Sequence, residues 1–255
     1  MTGPMSATPD PVTAAILVIG DEILSGRTKD KNIGTIADHL SAMGIDLSEV
    51  RIVPDVEAEI VAAVNALRAR YTYVFTTGGI GPTHDDITAD AVAAAFGVGI
   101  GEHPEAIRML LERIRPEDLN EARRRMARIP DGAELIRNDV SKAPGFRIGN
   151  VIVMAGVPAI MRNMLDNVTP SLEGGARMVA ESIDAEGLPE GAYAAGLGAL
   201  AEAHPGVSIG SYPSFSPDGF RNQIVVRGKD AALVAAARDA VVAMLAGLKG
   251  DGVPA

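Results

Sequence analysis

Acidic residues follow two of the chain's apolar runs in glycine-marked stretches. After Ala14–Ile19 the chain reads Gly20-Asp21-Glu22. After Tyr73–Phe75 it reads Thr76-Thr77-Gly78-Gly79-Ile80-Gly81-Pro82-Thr83-His84-Asp85-Asp86. A further carboxylate, Asp55, follows Pro54 at the end of the run Asp46–Val53. Glycines let a backbone close on a phosphate, and the positive end of a helix favours negative charge. Carboxylates beside such a loop repel a phosphate unless a divalent cation lies between them, so Asp85 or Asp86 reads as a Mg²⁺ ligand. A plainer reading competes: Thr83 with Asp86, or Thr88 alone, would cap the next helix, and the glycines would serve only the turn. Loop length favours the site. Thr77 to Ile87 exceeds the roughly 2–6 residues usual between a strand and a helix.

The elements that must carry these residues show in the apolar spacing. Ala14–Ile19 is unbroken, as a parallel strand covered on both faces requires. Ile33, Ile36, Ala37 and Leu40 repeat at helical spacing before a stop at Gly44. Asp46–Val53 reads as a strand, and Val56–Arg70 as a helix with Ile60, Val64 and Leu67 aligned. There Asp55 would ordinarily be a helix cap. Tyr73–Phe75 is a third strand and Ala89–Phe96 a third helix, closed by Gly97. Three successive β-to-α passages predict a doubly wound, mostly parallel α/β sheet in three layers. Such a sheet gathers all three Asp-bearing junctions on one edge.

Further on, His103–Arg115 and Asp118–Arg128 read as charged helices, with Arg123–Arg125 a solvated face. Phe146–Met154 reads as a hairpin through Gly149-Asn150. Ala155–Met161 then leads into a fourth junction, with Lys142 the nearest cation to it. Leu172–Gly175 is a linker. Beyond it, strand Met178–Ile183, helix Gly191–Ala203, strands Val207–Tyr212 and Asn222–Val226, and helix Ala231–Leu248 predict a small βαββα unit. The expected organisation is a leader at 1–12, an α/β domain at 13–171 and the small domain at 176–248.

Composition sets bounds. Apolar residues make up 47% of 255, ample for a core, but aromatics are only 4% and Trp is absent, so the core is aliphatic. Without cysteine there is neither disulfide nor thiolate chemistry. A net charge of −10 argues against a nucleic-acid or anionic-membrane surface, and no apolar run approaches the roughly 20 residues of a membrane span. The leader, with three prolines, lacks the order of a signal peptide, and a cytoplasmic protein is expected. The four histidines lie in separate segments, so no His-based metal site or triad forms among sequence neighbours, and His204 and Tyr212 read as structural.

The stretch Thr76–Thr88 resembles the signature of the molybdopterin-binding (MoCF biosynthesis) domain family. It is most similar to the branch that opens the competence/damage-inducible protein CinA. The same domain forms the front half of eukaryotic FAD synthases. Gly20–Asn32 resembles the domain's first motif, and Val53-Pro54-Asp55 matches an active-site carboxylate. Ala155-Gly156-Val157-Pro158 resembles a Pro-Gly-Val-Pro motif, with Ala155 where proline is usual. Val207–Pro213 resembles the segment that follows this domain in FAD-synthase-like relatives.

The resemblance implies a phosphorylated small-molecule ligand, molybdopterin or an adenine dinucleotide, held by Gly20, Asn32, Thr77, Gly78, Gly79, Gly81, Pro82, Asp85 and Gly156. It implies Mg²⁺, or another divalent cation such as Co²⁺, on Asp86 with Asp21 and Glu22. Asp55 and Asp86 would be the catalytic carboxylates for hydrolysis of a nucleotide pyrophosphate (ADP-ribose or FAD). The alternatives are a non-hydrolytic molybdopterin-binding or carrier protein, and a bare interaction module. A homo-oligomer, dimer or trimer, is expected, with no nucleic-acid or membrane partner. The deamidase half of CinA and the adenylyltransferase half of FAD synthase are not among these residues, so neither activity is expected of them.

Overall fold

The computed structural model describes residues 11–185, 187–216 and 219–250, with the side chains at 215–220 and 250 outside the description. Residues 1–10 of the expected leader therefore lie outside it. The chain divides between Gly175 and Ala176 into two units.

In the first unit, β1 (Thr13–Ile19) carries no charge, and Ala14 to Ile19 are all buried. A short turn of helix, α1 (Asp21–Leu24), precedes α2 (Asn32–Ala42), β2 (Asp46–Val53), α3 (Glu57–Arg68), β3 (Tyr73–Thr77) and α4 (Thr88–Phe96). Then come β4 (Ile100–Glu102), α5 (Pro104–Leu111), a 3₁₀ turn (Pro116–Asp118), α6 (Glu121–Arg125), β5 (Arg128–Pro130), β6 (Glu134–Ile136), β7 (Gly145–Ile148), β8 (Val151–Met154) and α7 (Pro158–Val168). The main sheet runs β2-β1-β3-β8-β7-β6. Its first four strands are parallel, with Ile16 level with Val50 and Phe75, and Thr77 level with Met154. The β7–β8 hairpin and β6 form an antiparallel edge.

Strand alternation divides the apolar residues between two faces. Leu17, Val74, Val151 and Val153 pack with Ile60, Val64 and Leu67 of α3 and Val92 of α4. Ile16, Val18, Phe75, Ile152 and Met154 pack with Ile36 and Leu40 of α2 and Met161 and Leu165 of α7. These are the three layers of a doubly wound fold, and the C-terminal ends of β1, β2, β3 and β8 share one edge.

The structure departs from the sequence reading between 103 and 130. Pro116 holds Arg115 extended (φ −67°, ψ 146°), so the first helix ends early, at Leu111. The Asn120 side chain then accepts from Arg123 N–H at 3.0 Å and starts only a short helix. Arg128 lies in a strand, paired antiparallel with β4, because burying Ile129 in the core takes precedence over extending the helix.

The second unit comprises β9 (Val179–Asp184), α8 (Glu190–Ala203), β10 (Val207–Ser216), β11 (Gly219–Gly228) and α9 (Ala231–Gly250). Its antiparallel sheet runs β10-β11-β9. Contrary to the expectation from the sequence, Ala231–Lys249 is by length and mean hydropathy (1.8) apolar enough to cross a membrane. Arg238 and Asp239 interrupt it, and its Val234, Ala237, Val241 and Leu245 are buried with Ile224 and Val226 of the sheet.

Candidate functional site

The first two junctions are tied directly to each other. Gly20 N–H donates to Val53 O at 3.2 Å, and Asp21 N–H donates to Asp55 Oδ2 at 3.0 Å. Asp55 is therefore not a helix cap; Val56 holds that place, without a side-chain bond. Burial raises the Asp55 carboxyl above the usual carboxylate range, and the Asp21 N–H lowers it. The charges of Asp21, Glu22 and Asp85 raise it further, in that order. The charge of Asp85 acts on Asp55 least of the three, and Asp85's own carboxyl is held below its usual range first by the Thr83 hydroxyl of its own loop.

Asp86 does not join the group. Its Oδ2 accepts from Thr83 N at 2.8 Å and from the Thr83 hydroxyl at 2.5 Å, folding the carboxylate back into its own loop. The expected set of Asp86 with Asp21 and Glu22 is not assembled. Among the described residues no three or more His, Cys, Asp or Glu side chains are grouped to hold a metal by themselves. A Mg²⁺ ion that keeps waters and shares phosphate oxygens needs only one or two carboxylates. Asp21 and Glu22, whose charges act on Asp55, provide oxygen donors of that kind.

The glycines of the loop answer to packing as well as to a ligand. Gly78 has φ +110°, and a Cβ there would lie 2.1 Å from the Ile19 carbonyl oxygen. Gly79 has φ +67°, and its Cβ would meet Thr88 Oγ1 at 2.1 Å. Thr88, fully buried, donates from Oγ1 to Gly78 O and from its backbone to Gly79 O, both at 3.0 Å. Gly78 N–H donates to Met154 O at 3.2 Å. The loop is thereby clamped between β1, β8 and the start of α4. Valine at 79 would strike Thr88 whatever is bound.

Beside this clamp lies a cavity of about 240 Å³. Glu22, Asn32, Thr77, Gly78 and Gly156 line it, with Lys29 and Lys31 from the loop before α2. Asn32 Nδ2 donates to Thr77 Oγ1 and to Gly156 O, each at 2.8 Å, and joins three junctions. Asp30 Oδ1 fixes the start of α2 by accepting from Ile33 N–H at 2.8 Å.

Gly79, Gly81 and Asp86 face away, into a separate narrow cleft with Arg125 and Arg128. Arg125 donates to the Asp86 carbonyl at 3.2 and 3.3 Å, and Arg128 pairs with Asp90 at 2.6 Å. Arg125 thus buttresses the loop instead of lying on a solvated face. Pro82 lies toward a third, open cleft with His84. The structure thus divides the expected ligand residues. Lys142 is committed elsewhere: Glu112 and Asp139 flank its ammonium at 3.0 Å each, Glu112 first in raising its affinity for the proton. Lys29 and Lys31 are the cations the sequence reading passed over. Their alternation just before Asn32 was the available signal.

Residues 15–174 match the family described as "probable molybdopterin binding domain", and 177–249 match "FAD synthase, middle domain". A protein of Aeropyrum pernix is 35% identical over 81% of this chain and 81% of its own length. A CinA-like protein of Desulfosudis oleivorans is 37% identical over 77% of this chain and 51% of its own. A probable FAD synthase of Caenorhabditis elegans is 30% identical over 94% of this chain and 51% of its own. The chain spans about half the length of the last two. The solved structure of CinA from Thermoplasma acidophilum covers 63% of this chain and 98% of its own, at a TM-score of 0.60 and 31% identity.

Proposed function

The chain belongs to the molybdopterin-binding domain family, and on that premise we propose that it binds a phosphorylated pterin or adenine dinucleotide and hydrolyses a nucleotide pyrophosphate of the ADP-ribose or FAD kind. The observation that carries this reading is the bond from Asp21 N–H to Asp55, which sets a carboxyl of raised proton affinity at the edge where parallel sheets take ligands. In the reaction proposed, water adds to one phosphorus and the bridging P–O bond breaks. Asp55 takes the water's proton, a role suited to a carboxyl held above its usual range. Lys29 and Lys31 supply counter-charge from the cavity wall. Asp21 and Glu22 are the residues that would hold a divalent cation. Such an ion, when bound, neutralises pyrophosphate charge.

The test is AMP release from ADP-ribose and from FAD, with and without Mg²⁺ or Co²⁺, alongside calorimetric binding. Asp55→Asn should lose about 100-fold or more in turnover while still binding. Asp86→Asn should stay within a few-fold of the parent, because its carboxylate serves Thr83. Unchanged turnover in Asp55→Asn removes Asp55 as the base. A second reading, binding without hydrolysis, draws support from the absence of a three-ligand metal cluster among the described residues. Binding of these ligands with no turnover under any metal condition would decide for it.

A further inference from the structure

β2 is an outer strand of the main sheet, and among the described residues no strand lies on its far side. Proteins commonly blunt such an edge with Pro, Lys or a bulge. The register shift of β2 against β1 falls at Ser48, ahead of Glu49–Val53, a segment with neither Pro nor Lys. Val53 O accepts from Gly20 N–H at 3.2 Å, so Val53 turns its backbone polar groups toward β1. Alternation along the strand then turns the N–H and C=O groups of Val50 and Ile52 outward. The side chains of these two residues are 39% exposed each, on the sheet face of Ile16 and Val18. Glu49 and Arg51, paired with each other, alternate with them on the opposite face.

We propose that β2 pairs antiparallel with the β2 of a second copy, about a two-fold axis through Val50. In a sheet continued across such an axis, opposed residues share a face, and those that exchange hydrogen bonds must both turn their backbones outward. Three registers satisfy this: Val50 on Val50, Val50 on Ile52, and Ile52 on Ile52. The second sets Arg51 against Arg51, and the third sets Arg51 against Val53. Only the first sets each Glu49 against the other copy's Arg51, at the positions without hydrogen bonds where side chains come closest. The strand is thus complementary to itself in charge in one register. Its two copies run in opposite directions, so the ligand edges point away from each other and each copy keeps its own site.

The chain has no cysteine, so a single introduced one can link only to its counterpart in another copy. Sedimentation of the full chain should give the dimer mass. Val50→Pro removes the outward N–H, leaves the bonds to β1 in place and should give the monomer mass. Under mild oxidation Val50→Cys should form a linked dimer, since the opposed residues would stand about 5.5 Å apart, within disulfide reach. Ile52→Cys should link far more slowly, because in this register it lies about 13 Å from its counterpart. Thermal melts check that each variant folds, and if Val50→Pro does not, the two cysteine variants decide. A parent that stays monomeric at its highest soluble concentration overturns the proposal. So does a dimer that folded Val50→Pro leaves whole, or Ile52→Cys linking as fast as Val50→Cys.

Discussion

Replacing Thr88 with Val tests whether the glycine loop is held by the protein itself. Valine keeps the shape of threonine and removes only the hydroxyl that donates to Gly78 O at 3.0 Å in a fully buried setting. Leaving a buried carbonyl short of its donor costs about 1–3 kcal/mol. Taking about 2 kcal/mol, amides of β1 and β3 that exchange by opening of this unit should exchange about 30-fold faster. Hydrogen exchange is the assay of choice because it reports on this unit whatever the second one does. The melting temperature should fall by about 4–8 °C for a unit of this size. Thr88→Ser keeps the hydroxyl and loses one buried methyl, about 1 kcal/mol, and should leave the Gly78 amide protected. If Thr88→Val is as stable as the parent and Gly78 exchanges no faster, the clamp is not what shapes the loop.

Gly78→Ala should destabilise the first unit by about 3 kcal/mol or more in urea unfolding, from its positive φ and the contact with the Ile19 carbonyl. Gly34→Ala, on α2 with open space around its Cβ, should add about 1 kcal/mol, so a similar loss at both sites would refute the steric argument. Asp55→Asn should alter the pH dependence of stability. The folded-state pKa of Asp55 lies above its unfolded value, so its contribution is present below the unfolded pKa and is lost as pH rises through the folded one. The Asn variant should accordingly gain on the parent at neutral pH and lose that gain toward acid. A gain that grows on acidification would contradict the direction given for Asp55.

The sheet was legible because β1, β3 and β8 are apolar runs and the edge strand β2 alternates, both set against helical periodicity, and these signals do not mimic each other. The junctions follow from that topology alone. What sequence spacing could not supply is what holds each carboxylate of an adjacent pair. In the turn from Thr83, Asp86 accepts from the Thr83 backbone and hydroxyl, and Asp85 is held by the same threonine and by His84. Nor does spacing show that Asp55 bonds across 34 residues to Asp21, since a carboxylate at a strand-to-helix turn usually caps the helix. Lys142 was left without a partner, and Arg125 was misread as a solvated face, for the same reason. Their partners, Glu112 and the Asp86 carbonyl, are distant in sequence.

The neighbours of β3 bear on how the chain acquires its shape during synthesis. β3 lies between β1 and β8, and the amide of Gly78 reaches its acceptor only at Met154. Until residue 154 has left the ribosome, the strand carrying the glycine loop has one open side. Asn150, whose Nδ2 joins the Arg68 and Tyr71 carbonyls at 2.9 Å each, arrives only just before it. Pairings of such long sequence separation are slow to form, because the intervening chain must be ordered first. A nascent chain halted near residue 145 would therefore expose Val74 and Phe75 on an unpaired edge, the kind of surface that invites aggregation or a chaperone.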